Sequence, residues 1–263
     1  SGRCGSTSPR RASWRCTCPC PPRSANPSAP HGRQTRHDQA HPPRRHQRRP
    51  LRDPAHPTGL WLSELTHAWH VFEEQGYEQT LVSPAGGAVP LEPRALKFPN
   101  DDKTAKAWRA DPAKLALLES TASPDQIDPA DYDAIYFTGG HAVMYDFPGS
   151  EGLQRITREI YERGGVVSSV CHGYCGLLDT RLSDGSYLID GKRMTGFAWS
   201  EEVLARVDKL VPYNAEERAK QRGARYQKAK LPFVSYTVTD ENLVTGQNPG
   251  SAKATARAVV AAW

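Results

Sequence analysis

The stretch Gly164-Gly165-Val166-Val167-Ser168-Ser169-Val170-Cys171-His172-Gly173 points to the architecture of this chain. It starts with a glycine pair, continues as a short β-prone run, and ends abruptly in a cysteine, a histidine and a glycine. The pattern of residues 174–178 predicts the start of a helix. A cysteine on such a strand-to-helix turn is expected to be exposed, with its sulfur near a helix N-terminus that favours the thiolate. The stretch therefore predicts a cysteine-dependent enzyme on an α/β sheet.

The chain divides into two parts of different composition. Residues 1–57 hold twelve Arg, no Lys and two acidic residues, a net charge of +10, and half of the 22 prolines. Residues 58–263 carry the other 22 basic and 27 acidic residues, a net charge of −5. Because the first part has almost no large apolar residues, we expect it to be disordered. The abrupt change of composition at the end of the first part suggests that this part is a frame-shifted or mis-started translation. Because the second part is mildly acidic, the sequence predicts no nucleic-acid partner.

The first part also contains four of the six cysteines, at Cys4, Cys16, Cys18 and Cys20. Their spacing does not follow the Cys-x-x-Cys pattern of zinc sites, so the sequence predicts no metal. No stretch is long and apolar enough for a transmembrane span, and no apolar signal-peptide core is present. We therefore expect a cytoplasmic protein without a membrane partner.

Alternating helix and strand patterns place the motifs on a doubly wound sheet. Apolar spacing predicts helices over 60–75, 151–163, 199–210 and 252–262, and strands over 79–83, 133–138, 166–170, 192–195, 233–238 and 242–245. This alternation predicts an α/β fold, a mostly parallel sheet with helices on both faces. Sites in such sheets lie at the C-terminal ends of strands, where Gly139-Gly140-His141 and Cys171-His172 both occur. An apolar first strand ahead of Gly59 is missing from this pattern, and we expect the sheet to lack it.

Cys171 is the candidate nucleophile, although a free cysteine is more often a small buried apolar residue, as we expect for Cys175. Outside the first part the histidines are at positions 67, 70, 141 and 172, so none follows His172. A glutaminase of the usual triad type needs a later histidine near a glutamate, which excludes that reaction. The candidate base is His172 itself or another histidine that the fold brings to the cysteine. For His172, the alternative is a solvent-exposed position without a role in catalysis.

The candidate carboxylates lie in two predicted helices. Glu64 is among apolar residues of the first helix, where it either faces a site or lies on a solvated surface. Glu201 and Glu202 follow Ser200, a candidate N-cap, so they either orient a histidine or stabilise the first helical turn. Gly140 offers a backbone amide to a developing oxyanion.

These motifs together resemble the ThiJ/PfpI superfamily, which shares the flavodoxin-like class I glutamine amidotransferase-like fold. Within it, the chain is similar to the yeast-type branch of glutathione-independent glyoxalase III and chaperone proteins. The resemblance extends over one domain, residues 58–263, and its segments keep the family order. These segments are Thr58-Gly59, Glu64-Leu65-Thr66-His67, Gly140-His141, Asp146-Phe147-Pro148, Glu159-Ile160-Tyr161, Gly164-Gly165-Val166-Val167, Val170-Cys171-His172-Gly173, Gly191-Lys192, Thr195-Gly196-Phe197 and Leu243-Val244-Thr245-Gly246-Gln247-Asn248-Pro249.

The resemblance implies conversion of methylglyoxal and related 2-oxoaldehydes to 2-hydroxy acids such as D-lactate. This is a lyase reaction that uses a cysteine nucleophile and no metal, glutathione or other cofactor, and a homodimer is expected. The residues it assigns to catalysis are Cys171, His172, Glu202 and Glu64, and those it assigns to the oxyanion and the substrate are Gly140, His141 and Gly173, with the Cys171 amide.

Two other classes of function fit the same motifs. One is a stress-response holdase chaperone or a redox sensor, since an exposed cysteine of low pKa suits either role. The other is a cysteine amidase or peptidase of the same superfamily. The family usually has proline at the position of Tyr174, so Tyr174 predicts an altered pocket wall.

Overall fold

The computed structural model of the protein describes residues 57–263. The predictions made for the first part of the chain, with its four cysteines and the missing first strand, lie outside these residues. The strands are β1 (Ala134–Phe137), β2 (Val166–Val170), β3 (Arg193–Met194), β4 (Arg225–Tyr226), β5 (Thr237–Asp240) and β6 (Leu243–Gly246). The helices are α1 (Leu62–Glu74), α2 (Lys103–Ala110), α3 (Pro112–Glu119), α4 (Val143–Asp146), α5 (Glu151–Glu162), α6 (Trp199–Leu204), α7 (Ala215–Gln221) and α8 (Ala252–Ala262).

The main sheet of the described chain has the strand order β1-β2-β6-β5. Strands β1, β2 and β6 are parallel, and β5 pairs with β6 in the antiparallel direction. A separate parallel pair joins β3 and β4. The predicted α/β fold with a mostly parallel sheet is therefore confirmed.

Helices cover both faces of the central strand β2. Successive side chains of a strand point to opposite faces. Val166 accordingly packs with Val259 of α8, whereas Val167 packs in the cluster that contains Ile156 and Ile160 of α5. Helix α1 lies against α8 on the first face. All five residues of β2 are buried, as expected for the middle of a two-sided sheet.

Several predicted elements differ from the structure, among them two strands and one helix. The predicted strand at 79–83 is a single bridge between Val82 and Ala122. The helix predicted from Trp199 ends at Leu204, because Arg206 has a φ of 57°, which is incompatible with a helix. The strand predicted from Phe233 begins only at Thr237, and Phe233 has a left-handed φ of 59°.

Strand β1 forms one edge of the main sheet within residues 57–263. A cavity of 170 Å³ lies beside it, and its lining is mostly apolar, with Leu65, Phe72, Ile135, Ile156 and Val259 among the lining residues. Packing on this side is therefore less complete than around β2. The longest helix in the described part is α1, with 13 residues, and none of these helices combines the length and apolarity that a bilayer crossing requires.

Candidate active site

Cys171 directly follows β2 and begins a 3₁₀ turn over Cys171–Gly176. Its φ of 56° lies in the left-handed region, which non-glycine residues rarely adopt. This kink is the sharp turn after the strand that the sequence predicts, but the helix predicted to start over residues 174–178 does not form, because the 3₁₀ turn ends at Gly176 and a turn follows. Because β1 pairs with β2 in parallel, with Phe137 opposite Ser169, the chain that leaves β1 reaches the same edge of the sheet as Cys171.

The Cys171 side chain is buried, contrary to the predicted exposure. The residue is 2% exposed and packs with Val170, Phe197 and Ala252, with Tyr136 against the same cluster. Burial and the neighbouring Glu64 raise the pKa of the Cys171 thiol well above its usual value, although the His172 amide acts in the opposite direction. The resting form is therefore the thiol, and the prediction of a resting thiolate was wrong because burial and Glu64 outweigh the His172 amide.

His172 and Glu202 continue a line of contacts from the Cys171 sulfur. His172 Nδ1 lies 3.2 Å from Cys171 Sγ, and His172 Nε2 lies 2.6 Å from Glu202 Oε1. The Phe197 ring packs on the imidazole, with 4.7 Å between ring centroids. Burial alone would raise the pKa of Glu202, but His172 and the hydrogen bonds from His141 and His172 hold it well below its usual range. Glu202 is therefore a carboxylate that accepts from His172.

The neighbouring Glu201 has a different environment. Its carboxyl accepts hydrogen bonds from the Ala198 amide at 3.1 Å, the Phe233 amide at 2.6 Å and Asn248 Nδ2 at 2.9 Å. These contacts fix the start of α6 and the loop before β5. Ala198, rather than Ser200, is at the N-cap of α6. Of the two candidate glutamates, Glu202 contacts His172 and Glu201 holds the local fold.

Glu64 is fully buried in the first turn of α1, which contradicts the alternative of a solvated helix face. Its Oε2 accepts a 2.6 Å hydrogen bond from the Gly139 amide. Its Oε1 has no hydrogen bond of ordinary geometry in the described chain, and the carboxyl interacts with the Cys171 thiol. Burial raises the pKa of Glu64 to about 8, against the lowering effect of Cys171 and the Gly139 amide. At neutral pH the carboxyl is mainly protonated.

Glycines allow the backbone to approach this site closely. A Cβ on Gly139 would lie 2.8 Å from His172 N and 3.1 Å from Cys171 Cβ. Gly140 has a φ of 108°, and a Cβ there would overlap the Gly59 carbonyl. A Cβ on Gly173 would overlap the Phe137 carbonyl oxygen. The sequence pattern did not connect Gly139 with Glu64, and the oxyanion role of Gly140 and the substrate role of Gly173 stay predictions.

His141 lies against Glu202 instead of presenting a free nitrogen to a substrate. Its Nε2 is 3.0 Å from Glu202 Oε2, and its Nδ1 is 2.9 Å from Arg94 Nη2. The His141 and His172 rings are 4.1 Å apart. Burial and the neighbouring His172 lower the pKa of His141 to about 4, so the imidazole is neutral at physiological pH. Both ring nitrogens have partners within the protein, and the substrate role of His141 stays a prediction.

Arg94 was not found by sequence reasoning. It lies in a 3₁₀ turn, Pro93–Leu96, far along the chain from every other site residue. No spacing pattern links this turn to the end of β1. Only the charged type of the residue, two positions after the acidic Glu92, gave any signal.

Tyr174 contacts the residues that pack against the site. It is fully buried, its hydroxyl donates to the Phe197 carbonyl at 3.3 Å, and its ring lies directly on Gly196. Tyr174 therefore holds the backbone of Phe197, whose ring packs on His172, and the altered pocket wall stays a prediction. Cys175 is also fully buried, as predicted.

His141, His172 and Glu202 form one group of potential metal ligands in the described chain, with their ligand-type atoms within 4.8 Å of one another. These atoms already hydrogen-bond to one another, which satisfies each of them without an ion.

Known proteins are similar to this chain in sequence and in fold. The sequence pattern of the DJ-1/PfpI family matches residues 58–262. "Glyoxalase 3" of Candida albicans is 34% identical over 220 residues, which cover 78% of this chain and 90% of that protein. "Glutathione-independent glyoxalase HSP31" of Saccharomyces cerevisiae is 34% identical over 207 residues, which cover 76% of this chain and 86% of that protein.

A solved structure gives the same relationship in three dimensions. The crystal structure of glyoxalase III from Candida albicans superposes with a TM-score of 0.73 and 32% sequence identity, and the match covers 78% of this chain and 89% of that one. The family pattern, the two relatives and the superposed structure each match more than three quarters of the chain. The chain belongs to the DJ-1/PfpI family.

Proposed function

We propose that this protein is a glutathione-independent glyoxalase that converts methylglyoxal and related 2-oxoaldehydes to 2-hydroxy acids, with D-lactate as the product from methylglyoxal. The observation that carries the proposal is the arrangement around Cys171. A histidine backed by a carboxylate lies on one side of the thiol, and the protonated carboxyl of Glu64 interacts with the same thiol. The relatives named glyoxalases support the same reaction.

The first step joins the substrate to the enzyme. The Cys171 sulfur attacks the aldehyde carbon, and His172 Nδ1 takes the thiol proton as the carbon–sulfur bond forms. The proton is then delivered to the aldehyde oxygen, which gives a neutral hemithioacetal. Glu64 suits a hydrogen-bond donor to that oxygen, because its carboxyl is protonated at neutral pH.

The second step moves a hydrogen between two carbons. His172 removes the proton from the carbon that bears sulfur, and an enediolate forms, while Glu202 stabilises the imidazolium. The imidazolium returns that proton to the neighbouring carbon, the hydroxyl proton of the first carbon passes to the oxygen of the neighbouring carbon, and the first carbon becomes a thioester carbonyl. One carbon is oxidised and the other is reduced, so no external oxidant or reductant is needed. Water then hydrolyses the thioester to the 2-hydroxy acid and restores the thiol.

Burial of the cysteine bears on the alternative functions. A redox sensor needs a low-pKa, accessible thiol, whereas burial raises the pKa of Cys171 and leaves the residue 2% exposed. A peptidase must admit a chain segment to its nucleophile, whereas Cys171 is 2% exposed and packs in one cluster with Phe197 and Tyr136. A small aldehyde fits these surroundings better than either. The homodimer and the cytoplasmic location stay predictions.

The test is lactate production without glutathione. Purified protein is incubated with methylglyoxal, and D-lactate is measured with a lactate dehydrogenase of known stereospecificity. We expect product from the unmodified protein and from Cys175→Ser, and none above background from Cys171→Ser. Cys175 is a matched control, because it is equally buried and lies in the same turn. Folded protein that makes no lactate would refute the proposed function.

A further inference from the structure

Two imidazoles share the carboxylate of Glu202. His172 contacts Oε1 at 2.6 Å, and His141 contacts Oε2 at 3.0 Å. Both rings and the carboxylate are buried, with side-chain exposures of 2%, 6% and 4%. In such surroundings one negative charge can stabilise one imidazolium well and two poorly. The surroundings of the two rings must therefore favour protonation of one histidine over the other.

Arg94 supplies a physical basis for that choice. Its Nη2 lies 2.9 Å from His141 Nδ1, and a guanidinium has only donors. Nδ1 of His141 must therefore accept, so the single proton of the neutral ring lies on Nε2 and is donated to Glu202. A second proton at Nδ1 would have to displace the guanidinium.

Arg94 is itself held in place by a buried acid. Its Nε donates to Glu92 Oε1 at 2.8 Å, and its Nη2 donates to Glu92 Oε2 at 3.0 Å. Glu92 is fully buried and also accepts from Thr58 Oγ1 at 2.6 Å. Paired hydrogen bonds of this kind fix the plane of a guanidinium. The Nη2 group is therefore aimed at His141 and cannot swing away freely.

We propose that Arg94 is a positioning residue that keeps the Nδ1 lone pair of His141 occupied, so that His141 stays a neutral donor and the charge of Glu202 remains available to His172. The catalytic meaning of this inference rests on the proposed function. The polar groups that face His141 are Arg94, Glu202 and His172, and the Phe197 ring packs nearby. Burial and His172 lower the pKa of His141 to about 4, and the charge of Arg94 acts in the same direction.

The test removes the cation without leaving a buried carboxylate unpaired. Glu92→Gln is compared with Glu92→Gln/Arg94→Met, since removing Arg94 alone would strand the charge of Glu92. Arg109→Met is the matched control: Arg109 is 34% exposed against 36% for Arg94, and its ion pair is with Asp101, outside the site. The same pair of variants is also made in a His141→Gln background, where residue 141 cannot take a proton.

Two readouts are measured over pH. The first is the protonation of His141, followed by NMR of ¹⁵N-labelled histidine. The second is the acid limb of kcat/KM for lactate formation. We expect loss of Arg94 to move the titration midpoint of His141 and the acid limb of kcat/KM upward by about one pH unit, because one neighbouring charge has an effect of that size. Arg109→Met should move neither, and the acid limb should not move in the His141→Gln background.

An unchanged His141 titration after loss of Arg94 would overturn the inference, whatever the enzyme does. An acid limb that shifts equally in the His141→Gln background would also overturn it, because the effect of Arg94 would then bypass His141. If the unmodified protein makes no lactate, the proposed function fails, and the NMR titration still decides the role of Arg94.

Discussion

The Gly139 amide donates a 2.6 Å hydrogen bond to Glu64 Oε2, across 75 residues of sequence. This bond joins the loop after β1 to the first turn of α1, directly against Cys171. It also accounts for part of the environment of Glu64, because the amide partly offsets the burial that raises the pKa of the carboxyl to about 8. The site therefore depends on a backbone contact as well as on the side chains of Cys171, His172 and Glu202.

Gly139→Ala should reduce activity strongly while leaving the protein folded. The new methyl group would lie 2.8 Å from His172 N and 2.9 Å from Glu64 Oε2, so the site must open to accept it. We expect kcat to fall by at least about 10²-fold, since small displacements of reacting groups have effects of that size. Steady-state kinetics measure the change. Gly149→Ala is the control, because nothing lies within 4 Å of its Cβ position, and equal loss in both variants would contradict the argument.

Glu64 should make stability depend on pH. An unfolded glutamate titrates near 4.5, whereas the folded-state pKa of Glu64 is about 8. Between these values the folded protein holds a proton that the unfolded chain has released, so the free energy of unfolding should fall as pH rises. The slope is at most about 1.4 kcal/mol per pH unit. Urea unfolding at several pH values should show a shallower slope for Glu64→Gln, and the same slope as the unmodified protein for the exposed Glu119→Gln.

Glu202→Gln should lower kcat by about 10²- to 10⁴-fold with little change in KM, because the imidazolium of His172 loses its counter-charge. Glu201→Gln makes a sharp comparison, since the two residues are adjacent and both buried. Glu201 holds the Ala198 and Phe233 amides, so its change should lower the unfolding midpoint more than kcat per folded molecule. The reverse pattern would show that Glu202 is the structural residue of the two.

Tyr174 and Gly196 should be energetically coupled. A methyl group on residue 196 would overlap the Tyr174 ring, so Gly196→Ala should destabilise the fold by about 1–3 kcal/mol. Tyr174→Ala should cost about 3–5 kcal/mol through the cavity it leaves. In the double variant the methyl group enters that cavity, so the two costs should not add. Urea denaturation of the four proteins measures the coupling, and simple additivity would show that the two residues act independently.

Much of the framework was predictable from local pattern. The run 166–170 became β2 with the same bounds, and 252–262 became α8, because a continuous apolar run and a helical apolar period each specify one kind of element. The prediction of a strand over residues 233–236 was wrong for a non-local reason. Its backbone is held by Glu201 and Asn248, whose bonds to Phe233 and Val234 replace those of a strand.

The sequence by itself determined the α/β class, the turn at Cys171 and the family resemblance, since these depend on short-range pattern and on ordered motifs. The tertiary structure decided which groups meet and in what state of charge. It paired Glu202 rather than Glu201 with His172, placed Gly139 on Glu64, and brought Arg94 to His141. It also buried Cys171, which raises the pKa of its thiol. Burial and contact across the fold depend on three-dimensional packing, and no spacing along the chain encodes them.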